Sequence, residues 1–100
     1  MVQLLLPLHD NDHNAFPSAL FEEVEREMTH RFGGVTAYVR APASGAFRNA
    51  RGRVMQDDVV VVEVMCSELD RTFWREYRER LTGLFEQEEL VVRALPFERL

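Results

Sequence analysis

The chain has 100 residues, 46% hydrophobic and 29% charged, which is the composition of one ordinary globular domain rather than of a disordered segment. A net charge of −5 with no basic block argues against nucleic acid or an anionic membrane as partner. All twelve basic residues are arginine, which excludes Schiff-base and P-loop lysine chemistry; isoleucine is absent too, a bias that suits a GC-rich bacterial genome.

No stretch reaches the roughly 18 apolar residues of a membrane span. The opening MVQLLLPLHD lacks the basic region and cleavage site of a signal peptide, so it is expected to belong to the fold. Cys66 is the single cysteine and has no partner for an intrachain disulfide, which suits a reducing, cytoplasmic setting. Nothing in the pattern calls for a cofactor.

In Val2 to His9 the residues Val2, Leu4, Leu6 and Leu8 form an apolar set and Gln3, Leu5, Pro7 and His9 a mixed one, which predicts a strand with one buried face. The polar HDNDHNAF, 9–16, reads as a loop. From Pro17 to Phe32, Leu20, Phe21, Val24, Met28 and Phe32 make one stripe of an amphipathic helix, with Glu22, Glu23 and Glu25 towards its positive end and Gly33-Gly34 as its stop. Residues 35–66 read as a long hairpin turning at Asn49-Ala50-Arg51-Gly52, with a projecting flap over 42–58 that carries Phe47 and Val54. If opposing residue numbers sum to 101, Val35 faces Cys66, Ala37 faces Val64 and Val39 faces Val62, all apolar, while Tyr38 faces Glu63 on the other side. A break or bulge is expected where Pro42 to Gly45 meets Gln56 to Val59. Ser67, with Asp70 three residues on, is expected to cap a second helix whose stripe is Phe73, Trp74, Tyr77, Leu81, Leu84 and Phe85. Leu90 to Leu95 reads as a last strand, ended by Pro96.

This order, βαββαβ, predicts a single α+β domain over 1–100 with the ferredoxin-like arrangement: a four-stranded antiparallel sheet in the order 4-1-3-2 with two helices on one face. The other face would carry Gln3, Leu5, Pro7, His9, Thr36, Tyr38, Arg40, Val59, Val61, Glu63, Met65, Val91, Arg93 and Leu95. That set is too apolar for a solvated surface, so a homodimer with sheet packed on sheet is expected.

Candidate chemistry is sparse. Glu63 interrupts the run VVVVEVMC, and its carboxylate, partly buried, could act as acid or base; a salt bridge to Arg40 or Arg93 is the simpler account. Tyr38, Arg40, Glu63 and Arg93 would then line a ligand cleft between sheet and partner. His9, Asp10, Asp12 and His13 are metal-ligand types within five residues, but no second His or Cys cluster completes a site, and an Asx-stabilised turn accounts for them. Cys66 is read as a small buried hydrophobe rather than a nucleophile, and Trp74 and Tyr77 as packing residues. Arg71, Arg75, Arg78 and Arg80 are read as solvated, and Arg48, Arg51 and Arg53 as a charged loop tip.

The strings RFGGVT at 31–36, Gly45 with Phe47, Asp57, VVVVEVM, FWREYRERL and QEELVVRAL together resemble a group of short uncharacterised bacterial proteins, along nearly the whole chain. Members of that group often carry tryptophan where Phe47 stands. The resemblance implies a single compact domain and transfers no catalytic residue. The functional expectation is therefore a homodimeric binding or interaction module; the alternative is a small enzyme of the dimeric α+β barrel type, acting on a small anionic or aromatic molecule with Glu63 as acid/base.

Overall fold

The computed structural model describes residues 1–40 and 58–100. The predicted turn at 49–52 and the flap with Phe47, Val54, Arg48, Arg51 and Arg53 lie outside the described residues. The elements are β1 (Val2–Pro7), α1 (Ser18–Phe32), β2 (Gly34–Arg40), β3 (Val59–Met65), α2 (Arg71–Leu84) and β4 (Val92–Ala94). They form one antiparallel sheet in the order β2-β3-β1-β4, which is the expected ferredoxin-like βαββαβ arrangement read from the opposite edge.

Period-two alternation decides which side chains meet the helices. Val2, Leu4 and Leu6 of β1 and Val60, Val62 and Val64 of β3 are buried there, joined by Val24, Met28, Trp74, Tyr77, Leu81, Phe85 and Leu90 in one core. The helices run antiparallel: Phe21 of α1 meets Phe85 just beyond α2 with ring centroids 5.4 Å apart, and Phe32 stacks on Trp74 at 5.2 Å near the start of α2. Between these contacts Arg80 donates twice to Glu27, at 2.5 and 3.1 Å. That hydrogen bond raises the arginine pKa still further above its ordinary value.

Several boundaries differ from the pattern-based reading. α1 starts at Ser18 with Pro17 at the cap, so its first turn contains no acid; the expected charge–dipole arrangement begins one turn later. Its stop is as expected, because Gly33 adopts φ 83° and donates to the Thr29 carbonyl at 2.9 Å. α2 is capped by Asp70, whose carboxylate accepts from the Phe73 N–H at 3.1 Å, and not by Ser67. β4 is only three residues long, and Leu90, expected inside it, is buried in the connection before it.

The hairpin register is displaced by two residues. Val35 opposes Val64, Ala37 opposes Val62 and Val39 opposes Val60, so Tyr38 opposes Val61 and Glu63 opposes Thr36. A two-residue slip leaves every side chain on its predicted face. Val39, expected under the helices, is nevertheless 60% exposed.

Candidate functional site

The face away from the helices is built in rows, because antiparallel partners point to the same side. One row is polar: Thr36 on β2, Glu63 on β3, Gln3 on β1 and Arg93 on β4 are consecutive partners across the sheet. Arg93 Nε donates to Gln3 Oε1 at 2.7 Å, and Gln3 Nε2 donates to Glu63 Oε2 at 2.8 Å. The Gln3 amide therefore relays between a cation and an anion, both hydrogen bonds being charge-assisted. Among the described residues Glu63 makes no direct salt bridge: β1 separates it from Arg93 on β4, with Gln3 filling the gap, and Arg40, although on the neighbouring strand β2, opposes Val59 and not Glu63. Gln3 is only 9% exposed. In the sequence it is just one polar residue in a mixed set, and only the register of three strands reveals its role.

Apolar rows flank the polar one. Tyr38, Val61 and Leu5 are consecutive partners, with Val91 reached through the Leu5 N–H bond to its carbonyl. Val61 is buried, although it belongs to the face opposite the helix-side core. Tyr38, Met65 and Val91 are 41%, 46% and 47% exposed.

At one end of this face lies a cleft of about 590 Å³. Leu5, Pro7, Val59 and Val91 belong to the sheet face; His9, Asp10, Asn11 and His13 come from the β1–α1 loop, Asp58 from the start of β3, and Gln87, Glu89 and Leu90 from the α2–β4 connection. The loop is shaped by Asp10. Its Oδ1 accepts from the N–H groups of Asp12 and Asn14, each at 2.9 Å, and its own N–H donates to the Asn14 carbonyl at 2.8 Å. His13 takes the left-handed conformation, φ 64°. Hydrogen bonding within the turn thus engages Asp10 Oδ1. Among the described residues no group of three or more His, Cys, Asp or Glu side chains is placed to hold a metal ion.

His9, Asp10 and His13 reach the cleft and Asp12 does not; Tyr38, Arg40, Glu63 and Arg93 do not line it either. Sequence reasoning missed Asp58 and Glu89, which join Asp10 as carboxylates of the lining; among the described residues that lining contains no arginine. Cys66 is half-buried against the core.

Two core groups lack partners: the Trp74 indole N–H and the Tyr77 hydroxyl are buried without an acceptor or donor among the described residues. Burial, reinforced by the Glu27 carboxylate and opposed by Arg80, pushes the Tyr77 phenol from its ordinary 10.0 up to about 12. No described helix is long and apolar enough to cross a membrane. Comparison of the chain with family models, with curated proteins and with solved structures finds no significant match.

Proposed function

We propose that the protein is a homodimeric binding module in which two copies pack their helix-free sheet faces together across a twofold axis. The observation that carries this reading is the exposure of Tyr38, Met65 and Val91 on a face that also presents Leu5, Pro7 and Val59. Apolar side chains on both sides of the polar row favour a covering partner over water. A second copy suits the face because its charged groups are of opposite sign, with Arg93 on one edge strand and Glu63 nearer the centre. In an isologous interface the same patch serves both subunits. The cleft at the end of the face gives such a module room for a small molecule, and its carboxylates suit a cationic or amine-bearing one.

Sedimentation velocity at micromolar concentration tests the proposal. A dimer is expected, and a monomer at that concentration overturns it.

A further inference from the structure

A second surface, separate from the sheet face, lies along the outer edge of β4. The hydrogen bonds Leu95 N–H to Met1 O (2.7 Å), Met1 N to Leu95 O (2.9 Å) and Leu5 N–H to Val91 O (3.0 Å) turn the backbone groups of Val91, Arg93 and Leu95 towards β1. Alternation then directs the N–H and C=O groups of Val92 and Ala94 outward, away from β1, on a strand that ends the sheet. Those two residues line a groove of about 270 Å³ whose other wall is α2, represented by Arg71, Trp74, Arg75 and Arg78. The spacing i, i+3, i+4, i+7 places these four on one stripe of the helix.

We propose that this groove binds an extended acidic peptide segment of a partner protein, added to the sheet as a fifth strand beside β4. Two features select that occupant. The backbone of β4 offers donors and acceptors in the pattern that another strand completes. Two of the arginines offer charge at a matching pitch: Arg71 and Arg75 are about 6 Å apart along the helix axis at about 1.5 Å per residue, close to the roughly 6.7 Å between alternate residues of a strand. An alternating acidic segment would turn its carboxylates to the arginine stripe and its other side chains to the helix-free side. Arg71, Arg75 and Arg78 make no ion pair among the described residues. Trp74, 6% exposed with its indole N–H lacking an acceptor, lines the same groove. A second copy paired edge to edge would instead bring two arginine stripes together, a like-charge juxtaposition that disfavours it.

The probe is a short fluorescein-labelled peptide of alternating glutamate and valine, titrated by anisotropy and followed by amide NMR of the protein. Binding is expected, with shifts at the Val92 and Ala94 amides and at the single tryptophan indole. Changing Arg71, Arg75 and Arg78 together to glutamine should weaken it by about tenfold or more. Ala94→Pro removes an outward N–H that β1 does not use and should weaken it about as much. The triple glutamine variant alters only exposed side chains, so it keeps the test open if Ala94→Pro disturbs folding. The proposal is overturned if the peptide does not bind. It is equally overturned if a proline-interrupted acidic peptide or single-stranded oligothymidylate binds equally well, since charge alone would then suffice. Edge-to-edge self-association that Ala94→Pro abolishes, without peptide binding, also overturns it.

Discussion

At the scale of single residues, Gln3 is the most informative. It spans from Arg93 to Glu63, and both bonds are satisfied only with its amide oxygen towards the arginine and its nitrogen towards the carboxylate. Gln3→Met keeps the volume but leaves the half-buried Glu63 without its donor. Urea denaturation should show a loss of roughly 1–3 kcal/mol, the usual penalty of an abandoned buried polar group; an unchanged midpoint would show that water replaces the bond. Tyr77 makes the opposite case. Its hydroxyl has no partner, so Tyr77→Phe should stabilise the protein at neutral pH by about 1 kcal/mol. Because the folded phenol titrates near 12 and the unfolded one near 10.0, native stability should be complete below pH 10 and fall as pH rises between those values. Urea midpoints across that window should fall less in Tyr77→Phe than in the parent. Glu63 was conspicuous in the sequence because one charge in a valine run is rare; Gln3 was not, since an amide carries no charge and its two partners lie 60 and 90 residues away.

At the scale of elements, alternation and the 3.6-residue stripe were enough to find six elements, their order and their buried faces. Phase was harder to read than period. Hairpin registers summing to 101 or to 99 give the same two apolar sets, so composition could not choose between them, and the observed pairing of Val35 with Val64 came only from the structure. The start of α2 was ambiguous for a similar reason, since Ser67 and Asp70 are both good caps. The observed geometry predicts that Asp70→Ala lowers stability by about 1 kcal/mol while Ser67→Ala leaves it nearly unchanged. Thermal denaturation of the two variants checks this. The cleft was the least legible feature: its described lining comes from three stretches of chain, and Asp58 and Glu89 meet the His9–His13 loop only because the end of β1, the start of β3 and the approach to β4 share one end of the sheet.

At the scale of the whole molecule, one layer of helices over one layer of sheet leaves a face whose apolar rows are as ordered as those of the core. Placing arginine at both Met65 and Val91 puts like charges into a twofold interface. It should weaken the proposed dimer by at least about tenfold while leaving the circular dichroism unchanged; sedimentation of the double variant against the parent reads both. The position of β1 has a kinetic consequence as well. It lies between β3 and β4, so the strand at the start of the chain can pair only with strands from the second half. During synthesis it must remain unpaired while α1 forms. The closing of long loops, rather than local propensity, should then set a refolding rate in the millisecond-to-second regime of high-contact-order domains. Linking residue 100 to Met1 and opening the chain within 41–57 would make β4 and β1 neighbours in sequence but carry the paired strands β2 and β3 to opposite ends, so this circular permutant should refold no faster than the parent in stopped-flow measurements.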